Sequence, residues 1–126
     1  MSVQAIYERV VEEFSSRVLR ELGDKVDSII VYGSVARKNA TKESDIDILI
    51  ISDEKSKIED RVSDIRAEID LEYDTLITLI YLTPKELEHR IRVGSPFIED
   101  VLTQGVVLYD NGTFKRFHEK MLRASR

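Results

Sequence analysis

The chain contains neither cysteine nor tryptophan, and its 126 residues include only 2 prolines and 5 glycines. Without a thiol there can be no disulfide, no cysteine nucleophile and no cysteine-bound zinc. Imidazole is nearly absent as well. His89 and His118 sit in separate segments, which excludes a histidine-rich metal site. No linker, repeat or low-complexity stretch interrupts the chain, so residues 1–126 read as a single domain. Long apolar runs are also missing. The longest, residues 29–32 and 48–51, fall far below the ~20 residues of a membrane span, and the first residues lack a basic start followed by an apolar block. The expectation is a cytoplasmic protein with no membrane contact. Basic charge is in deficit, with 24 acidic against 19 basic side chains and a formal net charge of -5. That balance argues against an extended nucleic-acid surface, which needs many Lys and Arg, but not against a small phosphorylated ligand.

What is present is a hydrophobic fraction of 42%, spread along the whole chain and sufficient for a core. Ile6, Val10, Phe14, Val18 and Leu22 recur at helical spacing, which predicts an amphipathic helix ending near Gly23. Residues 26–32 are short, β-branched and bounded by Asp24 and Gly33, and read as a buried strand. Residues 34–39 suit a helical turn and 40–43 a polar loop. Asp45, Asp47 and Leu49 then alternate with Ile46, Ile48 and Ile50, which predicts a second strand with one apolar face. Residues 55–73 place Ile58, Val62, Ile65 and Ile69 on one helical stripe, and 75–82 read as a third strand. Thr83-Pro84 with Glu86, and again Ser95-Pro96, are helix starts, the second helix closing at Gly105. Residues 106–109 make a short fourth strand, 110–112 a turn, and Phe114, Phe117 and Met121 the apolar edge of a last helix. The order of elements predicts one mixed α/β domain.

The residues that suggest chemistry are Gly33-Ser34-Val35-Ala36-Arg37 followed by Ser44-Asp45-Ile46-Asp47, each group attached to a predicted strand. A glycine leaving a strand lets the backbone turn sharply and approach a ligand. A serine beside it, at the start of a helical turn, offers N–H groups and a hydroxyl to an anion such as phosphate. Side chains two apart on a strand share a face, ~6.7 Å apart along the chain. Asp45 and Asp47 therefore converge, and two bare carboxylates at that separation repel by roughly 2–3 kcal/mol at an effective dielectric near 20. A cation relieves this, and few hard oxygen ligands suit Mg²⁺, which keeps waters and is completed by substrate phosphates.

This pattern, Gly33-Ser34-x-x-Arg37, six residues, then Ser44-Asp45-Ile46-Asp47, resembles the signature of the minimal nucleotidyltransferases, the smallest branch of the DNA polymerase beta-like superfamily. The resemblance implies a nucleotidyltransferase fold, α/β (α+β), with a small mixed sheet of about four strands flanked by helices. It implies that Gly33 and Ser34, with Arg37 and Ser44, contact an NTP, and that Asp45 and Asp47 bind Mg²⁺ and carry catalysis. Some members are antitoxins that transfer AMP to a tyrosine of a small helical HEPN ribonuclease toxin encoded nearby. The implied activity is transfer of a nucleoside monophosphate, AMP in the first place, from a Mg-NTP to a hydroxyl on such a partner, in a homo- or hetero-oligomer. The alternative is a catalytically impaired, nucleotide-binding antitoxin that acts by complex formation.

Two positions depart from the family pattern. Lys38 stands where the family often has glycine after the arginine, and residues 76–80 lack the third carboxylate that active members carry mid-way along the third strand. Thr78 is expected at that position. Asp70 and Asp74 precede the strand and read as solvated residues at a helix end, the alternative being that a register shifted by several residues lets either supply the third carboxylate. Arg37 either neutralises a phosphate or pairs with Glu43. Tyr32, Tyr73, Tyr81 and Tyr109 read as packing residues. The two histidines read as surface residues, and the basic end (Lys115, Arg116, Lys120, Arg123 and Arg126) as a solvated helix face.

Overall fold

The central strands are apolar at consecutive rather than alternate positions, and that pattern decides the architecture. In a computed structural model, which describes residues 1–124, the elements are α1 (Val3–Leu22), a 3-10 turn (Gly23–Lys25), β1 (Ser28–Tyr32), α2 (Gly33–Ala36), β2 (Ile46–Ile51), α3 (Lys55–Tyr73), β3 (Ile77–Leu82), α4 (Pro84–Arg92), α5 (Pro96–Gln104), β4 (Val106–Asp110) and α6 (Thr113–Ala124). One sheet runs in the order β3-β2-β1-β4. Strand β1 is antiparallel to β2 and β4, while β2 and β3 are parallel, joined by the crossover helix α3. This is the mixed α/β arrangement expected from the order of elements. Arg126 lies outside the described residues.

Successive side chains on a strand point to opposite faces. Ile29, Val31, Ile46, Ile48 and Ile50 therefore pack with residues of α1 and α3, such as Phe14, Val18, Ile58 and Ile65. Ile30, Leu49 and Ile51 pack on the other side with Leu87, Ile98, Val101, Phe114 and Phe117 of α4, α5 and α6. Each of these buried side chains contributes roughly 1.5–3 kcal/mol of transfer free energy. Strand β2 is consequently buried on both faces, not on one as its alternation suggested, and only Asp47 within it keeps partial exposure. Helices cover both sides of the sheet, so the outward positions of β2 must be apolar too. Among the described residues, no helix is long and apolar enough to cross a membrane.

Three boundaries moved for local reasons. Val26 still closes the 3-10 turn, its N–H bonding Gly23 O at 3.2 Å, so β1 begins two residues later than expected. Asp74 ends α3 in a left-handed conformation (φ 54°), and Thr75 N–H still bonds back to Asp70 O at 3.2 Å, which delays β3 to Ile77. Asp110 belongs to β4 rather than to the turn. Its carboxylate accepts from Ser28 Oγ at 2.8 Å and from the N–H groups of Phe114 and Lys115 at 3.0 Å, capping the start of α6.

Burial alone would raise the Asp110 carboxyl, but the hydrogen bonds from Ser28, Phe114 and Lys115 outweigh it and hold the group below the usual aspartate range. A folded value below the unfolded one stabilises the protein above the unfolded value, near ~3.9, and that stabilisation fades as pH falls through the folded value. Urea melts from pH 6 to pH 2 should therefore show Asp110→Ala about 1–2 kcal/mol weaker than wild type at pH 6, with the gap narrowing at the acid end. A gap that stays constant across that range removes the carboxylate from the account.

Candidate active site

The sheet register assembles the site. Tyr32 on β1 is opposite Asp47 on β2, and Asp47 is opposite Thr78 on β3, so three polar side chains stand in a row across neighbouring strands. Asp47 shares the strand face of Leu49 and Ile51, the one covered by α4, α5 and α6. Thr78 Oγ donates to Asp47 Oδ1 at 2.6 Å. Thr78 thus sits where the sequence pattern expected it, and it brings a hydroxyl to Asp47 in place of a carboxylate. Asp45, two residues earlier, lies just outside β2 and is exposed.

Gly33 leaves β1 with φ +72°, a left-handed conformation that side chains disfavour. A Cβ there would lie 2.2 Å from Asp47 Oδ2, so the backbone passes directly against the carboxylate. The glycine is therefore required twice, by its torsion and by this contact. Ser34 follows in the single helical turn α2, whose first N–H groups have no acceptor within the helix. The turn comprises Gly33–Ala36, starting one residue earlier and ending sooner than expected, because Lys38 adopts φ 63° and stops it. That left-handed residue explains a glycine preference at this position. Lys38 also bonds Glu8 Oε2 at 2.9 Å, and the hydrogen bond from Gln4, then this exposed ion pair, hold Glu8 below the usual carboxylate range.

The remaining site candidates divide. Arg37 is exposed and has no carboxylate partner among the described residues, and Glu43 instead accepts from Thr41 Oγ at 3.3 Å. Ser44 Oγ accepts from Thr41 N–H at 2.9 Å, so this hydroxyl closes the loop ahead of Asp45. Asp70 is not solvated. It accepts from Thr75 Oγ at 2.8 Å, from Ile77 N–H at 3.0 Å and from Arg66 at 3.3 Å, which ties it to the start of β3. Asp74 is exposed, as expected. His89 is exposed on α4, and His118 on α6 lies 6.1 Å from the Phe114 ring.

Two groups escaped sequence reasoning. The Gln4 side chain accepts from Ala40 N–H at 3.1 Å and donates to Val35 O at 2.8 Å, and Tyr7 OH reaches Lys42 O at 3.4 Å. Helix α1 thereby fastens the loop between β1 and β2. No local signal reveals contacts between residues more than thirty positions apart. Tyr32, read as a packing residue, lies at the site instead. Burial, then the negative charge of Asp47, push its phenol up to about 12, with the nearby Thr78 hydroxyl opposing the rise. It remains protonated at neutral pH and cannot act as a base. The Phe97 ring of α5 closes on it edge-to-face, with centroids 5.1 Å apart.

The donor set fits a hard, small cation. Soft thiol ligands are absent from the chain, and Asp45 and Asp47 are two oxygen donors on one strand approach. Among the described residues, no group of three or more His, Cys, Asp and Glu side chains is placed to hold a metal alone. A cation here would depend on waters and phosphate oxygens for the rest of its shell.

Comparison with known proteins bears on this geometry. The family model for the nucleotidyltransferase domain matches residues 9–120. The chain belongs to the nucleotidyltransferase domain family. A candidate protein adenylyltransferase of Methanocaldococcus jannaschii is 31% identical over 117 residues, covering 89% of this chain and 78% of the relative. A second from the same organism is 34% identical over 102 residues, covering 81% and 97%. In fold, this nucleotidyltransferase is similar to a chain of a toxin–antitoxin complex with AMP-PNP, at 20% identity and TM-score 0.58, with 90% of this chain and 86% of that one covered. It is also similar to a chain of a mutant MntA–HepT toxin–antitoxin complex, at 19% identity and TM-score 0.61, with the same coverage.

Proposed function

We propose that this nucleotidyltransferase transfers AMP from Mg-ATP to a hydroxyl on a partner protein, a small helical toxin of HEPN type encoded beside it. The single observation that carries the reading is Asp47, fixed by Thr78 on one oxygen and pressed against Gly33 on the other, beside the free start of α2. In this reading residues 1–126 form one catalytic domain. Gly33, Ser34 and Arg37 meet the triphosphate, Ser44 shapes the loop that presents Asp45, and Asp45 with Asp47 hold Mg²⁺. The ion, when bound, supplies positive charge to the phosphoryl oxygens and the departing pyrophosphate.

The acceptor oxygen bonds to the α-phosphorus as the bond from that phosphorus to the α,β-bridging oxygen breaks. Pyrophosphate leaves, and the hydroxyl proton must go to a base. Thr78 offers none, since an alcohol next to a carboxylate only donates. Tyr32 is held protonated by burial beside Asp47. The proton therefore passes to the partner or to solvent. The same observation favours the second reading, an impaired subunit that binds nucleotide and neutralises by contact.

The test is transfer of label from [α-³²P]ATP to the product of the adjacent gene in the presence of Mg²⁺. Labelling by wild type, its loss with EDTA and its loss in Asp45→Ala are expected. No labelling by wild type, or equal labelling by Asp45→Ala, would sink the transfer reading and leave contact neutralisation.

A further inference from the structure

Asp47 faces two ways. Its Oδ2 lies in the space in front of Gly33, which leaves β1, while its Oδ1 accepts from Thr78 on β3. Because β2 runs between β1 and β3, these are opposite sides of the carboxylate. In phosphoryl transfer the attacking and leaving oxygens stand roughly in line across the phosphorus. With the triphosphate at Gly33 and Ser34, the acceptor comes in from the β3 side.

The strand pairing says which residue meets it there. Ile46 N–H bonds Leu76 O at 2.9 Å, so the register of Ile46 with Ile77 and Asp47 with Thr78 continues one step back to Asp45 with Leu76. Ile46 and Ile77 both turn into the core against α1 and α3. By alternation, Asp45 and Leu76 turn to the other face, in line with Asp47 and Thr78. Neighbouring strands lie ~4.8 Å apart, so Leu76 stands beside Asp45 as Thr78 stands beside Asp47. Leu76 keeps 52% of its surface exposed and belongs to neither buried core.

A single exposed leucine is ordinary on a protein surface. This one borders a carboxylate of the site, on the edge strand and on the side left for the acceptor. A leucine side chain has neither charge nor hydrogen-bonding group, so it gains only from apolar surface laid against it.

We propose that Leu76 is a specificity-determining residue on the acceptor side, seating the apolar surface that flanks the acceptor hydroxyl and so setting that hydroxyl against Asp45 and Asp47. This rests on the protein-acceptor reading above. The acceptor that fits is a hydroxyl on an apolar patch of a protein. The end of a polynucleotide, bordered by phosphate, gains nothing from a leucine.

The test measures label transfer from [α-³²P]ATP with Mg²⁺ to the product of the adjacent gene, by wild type, Leu76→Ser, Leu76→Met and Val107→Thr. Val107 is an apolar residue of similar exposure, 45%, on β4 at the opposite edge of the sheet. Substitution at Leu76 leaves its main-chain bond to Ile46 in place, and melting temperatures report on folding. Leu76→Ser is expected to raise the KM for the acceptor protein at least ~10-fold, with the KM for ATP and the thermal shift with Mg-ATP unchanged. Leu76→Met and Val107→Thr keep the wild-type values.

An acceptor KM that Leu76→Ser leaves unchanged overturns the proposal. So does an equal rise in the KM for ATP, which means that the leucine acts only through the fold around Asp45, or an equally large loss in Leu76→Met or Val107→Thr. Label taken by an RNA oligonucleotide in place of the protein overturns it as well. Where wild type transfers no label, calorimetry with the same partner and variants decides. A complex that Leu76→Ser weakens ~10-fold defeats the transfer reading while leaving Leu76 as the contact, whereas a complex indifferent to it, or none, removes both.

Discussion

Asp47→Ala should lower AMP transfer by at least ~10²–10³-fold and remove the stabilisation conferred by Mg-ATP. The carboxylate lies in the middle of a row of three strands, and its Oδ2 occupies the space in front of Gly33. A metal-held phosphoryl group draws several kcal/mol of charge stabilisation from its ligands, and each 1.36 kcal/mol corresponds to tenfold in rate. With ligand at ~100 times its dissociation constant, wild type should gain roughly 2.7 kcal/mol, which a thermal melt reports directly. The substitution leaves both cores intact, because Asp47 is the one partly exposed residue of β2. Toxin neutralisation measured alongside separates the two readings. Loss of neutralisation with the complex intact assigns it to chemistry, whereas persistence assigns it to contact.

Thr78→Asp should act in the opposite direction. The hydroxyl of Thr78 already lies 2.6 Å from Asp47 Oδ1, so an aspartate there sets a second carboxylate beside the first. Two such charges about 4 Å apart repel by up to ~4 kcal/mol at an effective dielectric of 20. The variant should melt well below wild type in EDTA and recover with Mg²⁺, a metal dependence that wild type shows only weakly. The new carboxylate also provides the base that Thr78 cannot, worth about 10²–10⁴-fold where proton removal limits the rate. A Thr78→Asp protein whose melting is indifferent to Mg²⁺ would mean that the ion does not sit between these strands.

The sequence made the helices legible where the chemistry of their ends is local. Residues 55–73 coincide with α3, and the Thr83 capping box and the Ser95-Pro96 start both appear as read. Strand faces were less legible. The run Ile46–Ile51 looked half-polar because Asp47 interrupts it, yet Leu49 and Ile51 pack under α4, α5 and α6, whose positions no local pattern announces. The motif residues Gly33 and Asp47 could be found from their spacing, but not their contact, which depends on the antiparallel register of β1 with β2. Asp70 was misjudged for a related reason. At the end of a helix it resembled a solvated acid, while in the structure it is fully engaged at the first turn of backbone entering β3.

The three attachments from α1 to the loop between β1 and β2, through Gln4, Tyr7 and Glu8, have a thermodynamic consequence. A loop that must freeze around its ligand gives up conformational entropy at the moment of binding. Here that loss is incurred when α1 folds onto the sheet. Nucleotide association with this site is accordingly expected to carry little ordering entropy, and its affinity to track the integrity of α1.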